Sequence, residues 1–117
     1  MAGQSREAGT LVPLKPLEFS ILLALAEEDL HGYGIAKRIA ERDVGGVDLA
    51  PGNLYAVLDR LIGQGLIEAA RRRAGERKRE YRITAFGRQV AGMEASRLQV
   101  LVGTARRLDI LPKGGAS

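Results

Sequence analysis

The chain has 117 residues, of which 45% are hydrophobic and 27% charged, and its formal net charge is +4. This length suits one domain, and the balance is typical of a soluble globular protein and excludes a disordered or collagen-like chain. Cysteine is absent, which excludes disulfides and thiolate chemistry, and no apolar run approaches the roughly 20 residues of a membrane span. We therefore expect a cytoplasmic protein with no membrane segment and no secretory signal.

The excess positive charge is concentrated in one short segment. Residues 71–82 hold seven basic and two acidic side chains, a local balance of +5, whereas the rest of the chain holds eleven basic and twelve acidic ones. A polyanionic partner would therefore meet a basic patch and not an evenly charged surface.

The first half of the chain predicts a tail followed by two helices. Residues 1–15 show no sustained period and are expected to form a flexible tail. Apolar residues at helical spacing predict a first helix over about 16–28, with Pro16 in its first turn. The glycines of "DLHGYG" interrupt it, and a second helix is predicted over about 32–42.

A third helix is predicted over about 51–64, opened by Pro51 and stopped by Gly65 in the left-handed conformation. Its apolar residues recur at i, i+4, i+7 and i+8, which gives a single stripe facing the core. The stripe consists of Leu54, Leu58, Leu61 and Ile62.

The basic segment lies between two stretches that alternate in polarity. "LIEAAR" at 66–71 and "KREYRIT" at 78–84 predict two strands, and Gly75 lies at the centre of the loop between them. The simplest interpretation is a β-hairpin with a charged tip, in which Tyr81 anchors the returning strand to the core.

A long helix is predicted over about 85–109, capped by Thr84 and ending before Pro112. Its apolar residues spread over more than one face, so a second surface has to cover it. The predicted organisation is thus a tail (1–15), a domain of helices and hairpin (16–84), a long C-terminal helix that another surface has to cover (85–111) and a second tail (112–117).

Three short helices followed by a hairpin is the order of a winged helix-turn-helix, so the predicted fold class is mainly α with a small β-hairpin. In such domains the third helix enters the major groove of DNA. Gly52 and Ala56 would permit close approach, Asn53 can pair with an adenine edge, and Tyr55 or Arg60 can reach a phosphate or a base. The alternative is an ordinary surface helix of a three-helix core.

The hairpin favours the nucleic-acid interpretation, although a basic run alone is more often a solvated face. Its position directly after a helix-turn-helix candidate suits a wing that contacts phosphates. The candidate wing residues are Arg72, Arg73, Arg77, Lys78 and Arg79. The alternative function is a protein-interaction module whose basic hairpin binds an acidic partner.

An enzyme is not predicted, because no nucleophile and base pair, phosphate-binding loop or metal-ligand cluster is recognisable. His31, the only histidine, is interpreted as a structural residue near a helix start. We predict no metal and no cofactor.

Four stretches in the same order resemble the PadR family of bacterial transcriptional regulators, over about 80 residues. They read "PLEFSILLAL", "HGYGIAKRI", "APGNLYAVLDRLIGQGLIE" and "REYRITAFGRQV". By this resemblance, "HGY" opens the second helix, "PGNLY" opens the recognition helix, and "REYRIT" is the returning wing strand. The resemblance implies a homodimer that binds double-stranded DNA, usually as a repressor, and a DNA affinity that responds to a small molecule.

The long helix would supply both remaining sites. The helix has no tryptophan that could stack on a planar effector. A pocket for a small hydrophobic or aromatic effector would therefore depend on Phe86 and Met93. The second apolar face would pack against the partner subunit. The predicted dimer contacts are Val90, Met93, Leu98, Leu101, Val102, Ala105 and Leu108.

Overall fold

The computed structural model describes residues 8–42, 47–70 and 79–112. Within these ranges the chain is mainly helical with a small antiparallel sheet, which confirms the predicted fold class. A helical turn at residues 8–10 precedes the main elements. These are α1 (Pro16–Glu27), β1 (Leu30–His31), α2 (Gly32–Arg42), α3 (Pro51–Gly63), β2 (Ile67–Ala69), β3 (Glu80–Ile83) and α4 (Ala85–Arg107).

The helices begin where the sequence predicted and end at or just before the predicted residues. α2 has the predicted bounds, α1 and α3 each end one residue earlier, and α4 ends two residues earlier. Thr84 caps α4 as expected, since its hydroxyl accepts a hydrogen bond from the Gly87 N–H at 2.9 Å.

α3 ends in a turn that requires glycine. Gly65 has a φ of +77°, in the left-handed region that residues with a β-carbon rarely adopt. The next residue, Leu66, donates its N–H to the carbonyl of Leu61 at 3.0 Å, a bond that closes the helix end. The chain enters β2 at Ile67, so only a short turn separates α3 from the sheet.

The sheet contains the two predicted hairpin strands and one strand that the sequence did not predict. Its order is β1-β3-β2, with both pairings antiparallel. Ile67 pairs with Ile83 across the hairpin, and Leu30 pairs with Tyr81 on the other edge. The start of α2 is thereby joined to the returning wing strand.

One hydrophobic core lies between the first three helices, the sheet and the start of α4. The larger side chains that it encloses completely include Ile21, Leu22, Ile35, Leu58 and Val90. Burying each such side chain contributes about 1.5–3 kcal/mol, so this core supplies most of the stability that holds α3 in place.

The segment before α1 packs on this core over its described residues. Ala8 and Leu14 are buried, and the Leu14 N–H donates a hydrogen bond to the Glu94 carboxylate on α4 at 3.0 Å. The sequence led us to expect a flexible tail over 1–15, whereas residues 8–14 bridge the core and α4.

Candidate nucleic-acid interface

α3 has one face in the core and one face in solvent. Leu54, Val57, Leu58 and Leu61 are buried on the inner face. The outer face contains the predicted recognition residues, all of which are exposed, namely Gly52, Asn53, Tyr55, Ala56 and Arg60. The structure therefore brings these five residues to one accessible surface.

The side chain of Asn53 is held in place at the start of α3. Its Nδ2 donates a hydrogen bond to the backbone carbonyl of Asp48 at 2.8 Å. The Asp48 carboxylate in turn accepts the Ala50 N–H at 3.0 Å, which fixes the loop before the helix. The Asn53 amide retains one N–H and its oxygen for an outside partner, the pair of groups that an adenine edge requires.

Arg60 is exposed, but its side chain forms an ion pair within the protein. Its Nη2 lies 3.0 Å from Oε2 of Glu18 on α1, a carboxylate that is buried and also accepts the Lys15 N–H at 2.7 Å. This ion pair fastens α3 to α1. The contact of Arg60 with DNA stays a prediction, and it would require the same guanidinium that binds Glu18.

Tyr55 and the "HGY" residues meet where α2 begins. The Tyr55 hydroxyl lies so close to Gly32 that a β-carbon at position 32 would overlap it. Only glycine fits there without moving the tyrosine, so the start of α2 and the recognition helix are in direct contact.

Arg79 is the one predicted wing residue in the described ranges, and it is exposed just before β3. Tyr81 is 5% exposed and anchors β3 in the core, as the sequence predicted. The remaining wing residues, Arg72, Arg73, Arg77 and Lys78, lie outside the described residues.

A cleft lies between this strand and the helix-turn-helix. Its volume is about 210 Å³, and we refer to it as the tyrosine cleft. Its lining consists of His31, Gly32, Tyr33, Tyr55, Arg79 and Tyr81. It thus joins the start of α2, the recognition helix and the base of the wing.

The predicted dimer contacts on α4 divide into two groups. Val90 is fully buried in the core of its own protomer, because the first turns of α4 pack on α1. It is therefore removed from the surface that a partner could touch, and Met93 is half-buried against the same core. The others are exposed or half-buried, namely Leu98, Leu101, Val102, Ala105 and Leu108.

The predicted effector pocket at Phe86 and Met93 does not coincide with a cleft described here. Both side chains are half-buried and pack against the core. A mainly apolar cleft of about 420 Å³ lies instead between α1 and α4, and it is lined in part by Phe19, Leu23 and Leu98. An effector site at Phe86 and Met93 stays a prediction.

Glu94 is a structurally important residue that the sequence did not reveal. It is 2% exposed and binds Arg97 through two hydrogen bonds, of 2.6 and 3.2 Å, besides accepting the Leu14 N–H. The bonds from Arg97 lower the pKa of the Glu94 carboxyl, against burial, which raises it. The sequence pattern of an amphipathic helix does not indicate which of its carboxylates is buried.

Two other kinds of site are not found in the described ranges. No three His, Asp or Glu side chains there are grouped so that they could hold a metal ion. The helices of the same ranges are too short or too polar to cross a membrane.

The architecture and the interface were compared with known proteins. A sequence model of the PadR-like family of transcriptional regulators matches residues 21–92. A PadR family transcription regulator from Clostridium difficile is 20% identical, with a TM-score of 0.70 over 80% of this chain and 98% of that one. A PadR-like regulator from Bacillus cereus is 21% identical, with a TM-score of 0.69 over 82% and 93% of the two chains.

A third solved structure is somewhat closer in sequence. The transcriptional regulator BldR from Sulfolobus solfataricus is 27% identical, with a TM-score of 0.69 over 98% of this chain and 76% of that one. No curated protein matches the chain significantly. Because the family match covers more than half of the chain, and the two PadR regulators share its fold along most of their length, the chain belongs to the PadR-like family of DNA-binding transcriptional regulators.

Proposed function

We propose that this protein is a homodimeric transcriptional repressor that recognises a specific sequence of double-stranded DNA through α3. The observation that carries the proposal is the outer face of α3. Small residues and a fixed amide are exposed on a helix whose inner face is buried in the core. A helix that is rigidly mounted can read base edges without losing much conformational freedom on binding.

The first turns of α3 are the part that enters the major groove. Gly52 and Ala56 have no large side chain, so the helix can approach the bases closely. Asn53 then presents its free N–H and its oxygen to an adenine. Tyr55, two residues after Asn53, contacts the backbone or a base edge.

Dimerisation is proposed to occur through the second half of α4. The exposed apolar side chains of this region include Leu101 at 53% exposure and Leu108 at 64%, and they continue to Ile110 and Leu111 after the helix. Apolar side chains at this density are typical of a protein interface. Two copies would present their recognition helices to half-sites about one helical turn, or roughly 34 Å, apart.

The wing is proposed to contact phosphates beside each half-site. If each protomer engages about three phosphates, the logarithm of the association constant falls with the logarithm of salt concentration at a slope near −5. This sequence-independent attraction adds to the base contacts of α3.

The proposal is tested by duplex binding. A duplex is first selected from a random pool by the purified protein, and its binding is measured by fluorescence anisotropy against single-base variants of the same duplex. We expect tighter binding of the selected duplex, a two-fold symmetric site and a dimer in analytical ultracentrifugation. Transcription in vitro from a promoter that overlaps the site should decrease when the protein is added.

Three other results would contradict parts of the proposal. Binding to an acidic polypeptide without binding to duplex DNA would support the protein-interaction function instead. A slope near zero in the salt titration would contradict the phosphate contacts of the wing. Increased transcription would make the protein an activator.

A further inference from the structure

Two tyrosine hydroxyls of the tyrosine cleft, those of Tyr55 and Tyr81, have no hydrogen-bond partner among the described residues. Tyr81 lines the cleft and is 95% buried, yet its hydroxyl forms no hydrogen bond to a described residue. Every fully buried side-chain nitrogen or oxygen in the described ranges has a partner. The Tyr81 hydroxyl is therefore not completely enclosed, and the side chain to which it belongs lines the cleft.

Tyr55 supplies a second hydroxyl to the same place. It lies against Gly32 on the wall of the cleft and likewise forms no hydrogen bond to a described residue. The contact with Gly32 places the end of the ring beside the start of α2. Two phenol groups from α3 and β3 therefore line one small cavity.

The Tyr81 hydroxyl is a donor at neutral pH. Burial raises the pKa of Tyr81, Tyr55 and Asp59 raise it further, and Arg79 lowers it less than these raise it, so the phenol keeps its proton. A protonated phenol can donate a hydrogen bond to an anionic oxygen.

The surroundings of the two hydroxyls favour an anion. Arg79 belongs to the lining, and the positive charge of its guanidinium acts on Tyr81. The cleft also includes Gly32, the first residue of the eleven-residue helix α2, and the N–H groups of a first helical turn attract negative charge. Among the described residues no aspartate or glutamate belongs to the lining, and the Asp59 carboxylate, outside it, acts on Tyr81 less strongly than Arg79 does.

We propose that the tyrosine cleft binds one phosphate group, with the hydroxyls of Tyr55 and Tyr81 as donors and Arg79 as the opposite charge. The phosphate is either one of the DNA backbone, in which case the inference rests on the proposed function, or a free phosphate ion. In both cases Tyr81, which the sequence assigned only to the core, also has a binding role.

Tyr81→Phe is the sharpest variant, because it removes only the hydroxyl and keeps the ring in the core. The selected duplex is synthesised with single methylphosphonate groups, which have no charge, at each backbone position in turn. We expect Tyr81→Phe to weaken binding of the unmodified duplex by about tenfold, as for a hydrogen bond to a charged group. At the phosphate that the cleft binds, one in each half-site, the methylphosphonate and Tyr81→Phe together should weaken binding no more than either change alone.

Arg79→Gln and Arg82→Gln form a matched pair on the same segment. Arg79 faces the cleft, whereas the Arg82 guanidinium lies 3.1 Å from the Asp29 carboxylate on another side of the strand. Arg79→Gln should make the salt slope shallower by about 0.9 per protomer, and Arg82→Gln should leave it unchanged. Because Arg79 is exposed, this pair still tests the proposal if Tyr81→Phe fails to fold.

The free ion is tested without DNA. Sodium phosphate is added to the ¹⁵N-labelled protein at constant ionic strength, with sodium sulfate and chloride as references. Saturable shifts of the Gly32 amide and the Arg79 Nε–H that disappear in Tyr81→Phe would support binding of free phosphate. If Tyr81→Phe has no additional effect at a single methylphosphonate position, the group in the cleft is a phosphate of the DNA backbone.

The inference is overturned if no methylphosphonate position couples to Tyr81 and phosphate causes no saturable shift. Tight binding of the selected duplex in that case leaves the proposed function intact. Conversely, a protein that binds phosphate through Tyr81 but no duplex contradicts the proposed function alone.

Discussion

The guanidinium of Arg60 on α3 lies 3.0 Å from the carboxylate of Glu18 on α1. Glu18 is buried and its other oxygen accepts the Lys15 N–H, so the carboxylate joins the start of one helix to the end of another. The recognition helix is thus positioned by a charged contact as well as by its apolar stripe.

Arg60→Met is expected to lower the free energy of unfolding by about 1 kcal/mol, since Glu18 loses its charged partner while Arg60 itself is partly exposed. The measurement is urea denaturation at fixed protein concentration. Arg82→Met, which breaks the more exposed pair with Asp29, serves as the control and should cost less. The salt slope of DNA binding should not change. A slope shallower by about 2 for the dimer, with unchanged stability, would instead make Arg60 a phosphate contact.

Asn53→Ala is expected to reduce the preference for one base pair in each half-site by about 1–3 kcal/mol, because the amide that pairs with adenine is lost. Binding to the selected duplex and to its single-base variants measures this. Gln64→Ala, just after the far end of the same helix, should leave the preference intact. Equal weakening of all duplexes by Asn53→Ala would show that Asn53 positions the loop at Asp48 and does not read a base.

Glu94→Gln is expected to lower stability at neutral pH by about 2 kcal/mol, because a buried carboxylate with two charged hydrogen bonds is lost. The pKa of Glu94 in the folded protein lies below its usual value of 4.5, so the unfolded chain takes up its proton first as the pH falls. The stabilisation is therefore complete above the usual pKa and disappears as the pH falls through the lowered one.

Urea denaturation of both proteins between neutral pH and about pH 3 tests this linkage. The difference between wild type and Glu94→Gln should shrink as the solution becomes more acidic. Glu41→Gln, on the exposed face of α2, is the control and should show a small difference at every pH. A difference that stays constant with pH would mean that Glu94 acts through its packing and not through its charge.

Leu101→Glu is expected to convert the proposed dimer to a monomer, because two carboxylates would be placed in an apolar interface. Sedimentation velocity measures the mass, and DNA affinity should fall by more than tenfold as the second half-site contact is lost. Gln99→Glu adds the same charge at a polar position of the same helix and should remain dimeric. A dimer that persists with Leu101→Glu would move the interface to another surface.

The sequence predicted the helices well because each has a local signal. Pro16 and Pro51 lie in first turns, Gly65 has the left-handed conformation, and Thr84 caps α4. These signals operate within a few residues and need no knowledge of the tertiary structure. The exposed face of α3 followed from the same periodicity.

What the sequence did not reveal depends on contacts between distant residues. β1 is only two residues long and is defined by its pairing with Tyr81, about fifty positions later. The burial of Val90 and Glu94 follows from the packing of α4 on α1 and on residues 8–14, which a helical pattern alone does not specify. The close approach of Tyr55 to Gly32 is of the same kind.

The length of α4 bears on how the proposed dimer fits its DNA site. Its 23 residues make a rod of about 34 Å, fixed at one end by buried Val90 and Glu94 and free of the core at the other. In the proposed dimer, the part of α4 after Glu94 is about 20 Å long, so a tilt of about 10° at Glu94 would move its far end by about 3.4 Å. This displacement is about one base-pair step, since successive base pairs are roughly 3.4 Å apart. The crossing angle of two such levers would therefore determine which half-site separation the dimer fits, and small substitutions around Glu94 could retune operator spacing without touching the recognition helix.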